Sequence, residues 1–139
     1  MKKLTLILFL ALVPAFAQQS VAAKATAKSK TLTRAEFDQL LAKPHKVLVI
    51  DVRRPDELTA NGSFPVYLSI QLADLEKYLA FIPKERTLIA VSNHAGRGLQ
   101  AADLLDSKGF HVAGAIGVQN YEADGGAILK IVPPQPKKN

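Results

Sequence analysis

Seven residues between an apolar run and a helical pattern carry most of this chain's capacity for chemistry: Ser92, Asn93, His94, Ala95, Gly96, Arg97 and Gly98. A tight loop containing Gly96 and Gly98 can turn several backbone N–H groups inward as a concave nest, and a helix starting behind it adds partial positive charge. Arg97 can close such a nest with its guanidinium fork. That chemistry suits a small oxyanion. The same spacing also serves an ordinary strand-to-helix turn, in which the glycines only permit the backbone and Arg97 is solvated. A second chemistry is a hydrolase with Ser92 as nucleophile and His94 as base. No acidic residue is placed in sequence to orient that imidazole, and an active constellation needs all three parts.

Other polar residues invite weaker readings. Asp51, Arg53 and Glu57 follow an apolar run. They support the loop, either through an Arg53–Glu57 ion pair, which is the preferred reading, or with Arg53 lining the site mouth. His45, His94 and His111 have no ligand spacing such as His-x-x-x-His, so they read as three separate histidines and no metal is expected. Tyr67, Tyr78 and Tyr121 are scattered and read as packing or edge residues.

The elements that must position this loop alternate. Thr33-Arg34-Ala35-Glu36 has capping-box spacing, with Phe37, Leu40 and Leu41 on one helical face behind it. Val47-Leu48-Val49-Ile50, ending at Asp51, and Leu88-Ile89-Ala90-Val91 are continuous apolar runs, as expected of strands buried on both faces. Leu68-Ser69-Ile70 reads as a short strand, and residues 112–118 as a last one. Leu72, Leu75, Leu79 and Ile82 fall at α-helical spacing, closed by Pro83. A second helix covers residues 99–108, with Gly109 as its left-handed cap. Strands alternating with helices predict an α/β domain with a mostly parallel central sheet flanked by helices. Right-handed crossovers then put the loop after Val91 at the carboxyl end of its strand, where open α/β sheets bind ligands.

This whole pattern resembles the rhodanese-like domain. Asp51-Val52-Arg53, Glu57 and Gly62-Ser63-Phe64 are similar to the family's Asp-Val-Arg segment, Glu and Gly-His-Ile motif. LIAVSNHAGRGLQAADLLDSKGF resembles its active-site strand, loop and helix, and Asp124-Gly125-Gly126 sits where the family has a Gly-Gly turn. The likeness runs from about Thr31 to Ile131, and small exported single-domain members of the phage-shock type are the nearest in kind. The resemblance implies a cysteine at the start of the loop, in the pattern Cys-x-x-Gly-x-Arg-Ser. Here Ser92 holds that place when the loop is aligned from the following helix, and Asn93 holds it when aligned on Gly-Arg. Ser63 replaces the family's His. The chain contains no cysteine at all. The family moves sulfur through a cysteine persulfide; a serine hydroxyl is a far weaker nucleophile and an asparagine amide is none. Sulfurtransferase activity is therefore not expected of this chain acting by itself.

The ends of the chain read separately. Lys2 and Lys3 precede an apolar stretch at residues 4–13, broken by Pro14 and followed by Ala15-Phe16-Ala17. That is the form of a signal peptide over residues 1–17 with cleavage after Ala17, and the stretch is well short of the roughly 20 apolar residues a spanning helix needs. Without cysteine there is no lipoprotein anchor, so no membrane anchor is expected after cleavage, and the expected location is the periplasm. Residues 18–30 read as a flexible leader, residues 31–132 as the domain and residues 133–139 as a disordered Pro/Lys tail. The formal charge of +6 belongs to these ends: between Thr31 and Pro136, eleven basic residues face twelve acidic ones. That excludes the electrostatic footprint of a nucleic-acid binder. The functional expectation is an exported, catalytically degenerate module that binds a small oxyanion or a periplasmic protein, without a cofactor.

Overall fold

The computed structural model describes residues 28–130 and 132. The readings of a signal peptide, of most of the leader and of the tail fall outside them. Four strands, β1 (Val47–Asp51), β2 (Leu68–Ser69), β3 (Thr87–Ser92) and β4 (Val112–Gly117), form one sheet in the order β2-β1-β3-β4. Every pairing is parallel, with β1 and β3 in continuous register from Val47 opposite Thr87 to Asp51 opposite Val91. Parallel strands need crossovers, and these are supplied by α2 (Pro55–Asn61), a 3₁₀ helix (Leu72–Phe81) and α3 (Gly96–Ser107), while α1 (Arg34–Leu41) precedes the first strand and α4 (Val118–Ala123) follows the last.

Side chains alternate across the strands, so the uninterrupted apolar runs of β1 and β3 feed two cores. Ile50, Leu88 and Ala90 face the side covered by α3 and the 3₁₀ helix, with Leu75, Ala101, Ala102 and Leu105. Val47, Val49, Ile89 and Val91 face the other side, with Phe37, Phe64 and Tyr121. Those three rings interlock, with centroids 4.6–5.4 Å apart, and the Tyr121 hydroxyl donates to Asp38 Oδ1 at 2.7 Å.

The capping box forms as its spacing predicts: Thr33 Oγ1 accepts from the Glu36 N–H at 3.3 Å, and Glu36 Oε2 accepts from the Thr33 N–H at 2.9 Å. Gly109 ends α3 at φ +80°, with the N–H of Phe110 reaching back to the Leu105 carbonyl at 3.1 Å. Four expectations are corrected. The segment from Leu72 is 3₁₀ and not α-helical. The helix after the loop begins at Gly96, three residues early, because Ala95 adopts a left-handed conformation (φ 65°) and turns the chain straight into it. The last strand stops at Gly117, and Val118 opens α4. The supposed leader is docked at its end: the N–H groups of Lys28 and Ser29 donate to Asp103, and Lys30 and Leu32 exchange backbone hydrogen bonds with Ala115 at 3.0 and 2.7 Å. Among the described residues, no helix is long and apolar enough to cross a membrane.

Candidate functional site

β3 delivers Ser92 to the carboxyl edge of the sheet, with α3 starting four residues later. Ser92 is buried, and its Oγ accepts the N–H of Gly98 at 3.1 Å, inside the first turn of α3. Gly98 is bare for a packing reason: a Cβ there would lie 3.1 Å from Ala115 Cβ and 3.2 Å from the Ala90 carbonyl oxygen. The helix start is thereby pressed onto the sheet. The backbone N–H groups of Asn93, His94, Ala95, Gly96 and Arg97 have no acceptor among the described residues.

Behind the loop lies a buried charge network. Asp51 and Arg53 are both wholly inaccessible to solvent. Arg53 Nη2 and Nε donate to the Asp51 carboxylate at 2.7 and 2.9 Å, and Nη2 also donates to the Gly62 carbonyl at 3.0 Å. The Ser63 hydroxyl, where the family resemblance implies His, donates to Asp51 Oδ2 at 3.1 Å. Arg53 Nη1 donates to Asn93 Oδ1 at 3.0 Å, and Asn93 Nδ2 donates to Glu57 Oε1 at 2.8 Å. Arg97 grips Glu57 with both terminal nitrogens, Nη1 to Oε2 at 2.7 Å. The chain Asp51–Arg53–Asn93–Glu57–Arg97 thus runs from the sheet's interior to the loop's rim. Among the described residues, no buried side-chain polar atom is left without a partner.

Two sequence readings are corrected by this network. Arg53 does not pair with Glu57; it folds back on Asp51, two residues away, while Pro55 starts α2 and swings Glu57 out toward the loop. Arg97 is only partly exposed and is not free, because Glu57 holds it. The proposed nucleophile–base pair does not form either. His94 Nδ1 donates to Asn120 Oδ1 at 3.2 Å, while Ser92 Oγ is occupied by Gly98, and no hydrogen bond joins the two side chains. Sequence reasoning passed over Asn61 and Gln119, which brace Asn93: Gln119 Nε2 donates to Asn61 Oδ1 at 2.9 Å and the Gln119 N–H to the Asn93 carbonyl at 3.1 Å. Pairing across 58 residues leaves no local signal. No cluster of three His, Cys, Asp or Glu side chains suited to a metal occurs among the described residues.

Glu57 is the electrostatic centre of the rim. Its hydrogen bonds to Arg97, helped by the Arg54 N–H, bring its carboxyl from 4.5 down to about 2, against the opposing effect of burial. The same partnership raises Arg97. A carboxyl depressed on folding stabilises the fold above its unfolded value, and that contribution is lost as pH falls through the folded value. Urea stability should therefore drop between about pH 4.5 and pH 2. Glu57→Gln should flatten that part of the profile; an unchanged profile in the variant would place the acid sensitivity elsewhere.

Two clefts flank the loop. One, of about 300 Å³, is walled by His94, Ala95, Leu99, Ile116 and the segment from Thr31 to Arg34. The other, of about 320 Å³, lies on the Arg97 side over Val52, Leu72 and Ala73, with Arg54 at its rim.

Solved structures resemble this fold as a whole. A rhodanese-related protein from Thermoplasma volcanium superposes with a TM-score of 0.62 at 20% identity, covering 72% of this chain and 97% of that one. CoADR-RHD of Bacillus anthracis, in its reduced form, gives 0.59 at 27% identity over 67% of this chain and 16% of that one. A rhodanese-like domain protein from Staphylococcus aureus gives 0.56 at 22% identity, over 63% and 85% of the two chains. No protein-family model matches the sequence, and no curated protein does. The chain is a single α/β domain of the rhodanese-like fold, with no cysteine in its sequence to carry sulfur.

Proposed function

We propose that this domain binds a small oxyanion in the loop of residues 92–98 and performs no sulfur transfer. The observation that carries this reading is the run of five backbone N–H groups, Asn93 to Arg97, without an acceptor among the described residues, at the start of a twelve-residue helix. An anion at a helix N-terminus offers such groups both a hydrogen-bond acceptor and a favourable charge. Ser92 takes the cysteine's place in this reading, since its side chain lies under the loop while Asn93 is drawn aside into the Arg53–Glu57 network.

Affinity is on the order of millimolar, about −4 kcal/mol, and falls with salt as screening grows. In an NMR titration with sulfate, against chloride at matched ionic strength, the amides of Asn93 to Gly98 should move first. Glu57 competes with the ligand for Arg97, so Glu57→Gln should tighten sulfate binding. A partly exposed ion pair of about 0.2–1 kcal/mol makes that a gain of up to about fivefold. Arg97→Ala should weaken it. Loop amides unmoved at tens of millimolar sulfate would leave the protein-partner reading, which the exposed Tyr78–Phe81 aromatic pair favours.

The same proposal places the module in the periplasm, with a mature chain beginning at Gln18, on the strength of the Lys2-Lys3 start, short apolar stretch and Ala-x-Ala end. Intact mass of the exported protein checks it. A membrane-bound species retaining Met1 would refute it.

A further inference from the structure

Two neighbouring residues at the carboxyl end of α2 are each demanded by the fold, and side by side they make a chemically labile pair. Gly62 has φ +74°, and a Cβ there would lie 2.5 Å from the Leu129 carbonyl oxygen, so only glycine fits. Its own carbonyl accepts from Arg53 Nη2 at 3.0 Å. Asn61 Oδ1 accepts from Gln119 Nε2 at 2.9 Å, and Asn61 Nδ2 donates to Asn93 Oδ1 at 3.4 Å. In an Asn-Gly sequence no side chain shields the glycine nitrogen from the carboxamide carbon before it. Asn93 and Asn120 are followed instead by His94 and Tyr121, whose side chains crowd that approach.

We infer that Asn61 is a spontaneous deamidation site that the last turn of α2 keeps closed. In the reaction the Gly62 amide nitrogen gives up its proton to solvent and bonds to Asn61 Cγ, the Cγ–Nδ2 bond breaks, and ammonia leaves. Water then opens the cyclic imide, at Cγ to give aspartate or at the main-chain carbonyl to give isoaspartate. The folded geometry opposes the first step twice. The Gly62 N–H donates to the Leu58 carbonyl at 2.9 Å, and the Asn61 carboxamide is turned aside to Gln119 and Asn93. The lock is a slight one: α2 has seven residues, mostly polar, and buries only Leu58. Such a turn opens locally before the rest of the fold does, and closing it again does not undo the product. Either product replaces a donor to Asn93 Oδ1 with a carboxylate oxygen. Isoaspartate also adds a carbon to the main chain just ahead of Gly62, whose carbonyl Arg53 grips. Opening of α2 is thereby written into the chain as a lasting loss of the brace on Asn93, whatever the loop binds.

Peptide mass mapping at mildly alkaline pH, in native buffer and in denaturing guanidinium chloride, tests this. The unfolded chain should gain about one dalton at Asn61, and far less at Asn93 and Asn120. The native protein should react at least about tenfold more slowly, since the turn is open for only a small fraction of the time. Ala60→Gly, an exposed change that weakens the helical turn, should speed the native reaction by up to about fivefold and leave the unfolded rate unchanged. In the modified protein, separated by its added negative charge and returned to native buffer, the side-chain amide resonances of Asn93 and Gln119 should be displaced. Absence of reaction at Asn61 in the unfolded chain overturns the site. Equal native and unfolded rates, or a ratio that Ala60→Gly leaves unmoved, overturn α2 as the lock. Unmoved side-chain amides in the modified protein overturn the consequence for the loop.

Discussion

Arg53→Ala should destabilise the domain by about 3–5 kcal/mol, the range for removing one partner of a buried ion pair. The urea midpoint should fall by more than about 1 M. Asp51 would be left without its guanidinium partner in a site without solvent access, with the Ser63 hydroxyl and the backbone N–H of residue 53 as its remaining donors. The loss also strips a donor from the Gly62 carbonyl and from Asn93 Oδ1, so both sides of the loop's support are weakened. The double replacement Asp51→Leu/Arg53→Met removes both partners and should recover more than half of the loss, because most of the penalty is the polar group left buried without its partner. A single-variant loss below about 1 kcal/mol would mean that water reaches Asp51 and that the network does not depend on burial.

Ser92→Cys should give the protein a measurable thiosulfate:cyanide sulfurtransferase rate, where the cysteine-free protein is expected to show none. Its thiol should titrate below the free value of about 8.5. At this position Oγ already accepts the Gly98 N–H within the first turn of α3. A thiolate there gains the same donor and the helix terminus, both favouring the charged form, while burial opposes it. Asn93→Cys should not match it. That substitution removes an amide that accepts from Arg53 and donates to Glu57, and it sets a thiolate against the Glu57 carboxylate. The pH dependence of alkylation by iodoacetamide, measured on both variants, compares the two positions directly. A Ser92→Cys thiol titrating above about 9, or turnover by the cysteine-free protein itself, would overturn this account of the loop.

What the sequence made legible was whatever depends on neighbours in the chain. The continuous apolar runs of β1 and β3, the Thr33–Glu36 box and Gly109 each act through residues within about six positions, and each forms as its local pattern predicts. The seven-residue helix α2 is mostly polar and carries no apolar period, although Pro55 followed by Asp56 and Glu57 is a start signal that could have revealed it. The 3₁₀ helix has α-like apolar spacing, so its apolar pattern does not reveal the tighter winding. In the candidate site, the loop was legible and its partners were not. Which carboxylate holds Arg97 depends on α2 turning Glu57 across a separation of 40 residues, and nothing local to either residue encodes that.

The strap of Lys30 and Leu32 on Ala115 bears on the order in which this chain can safely fold. β4 reads VAGAIG, uncharged and mostly apolar, and it lies at the end of a parallel sheet. Such an unprotected edge is a template for pairing with other chains. The residues that cover it stand some 85 positions earlier in the chain. A polypeptide that emerges amino end first therefore holds the cover before the vulnerable strand exists. β4 can be sealed as soon as it forms, and the exposed-edge species that drives aggregation during folding need not accumulate.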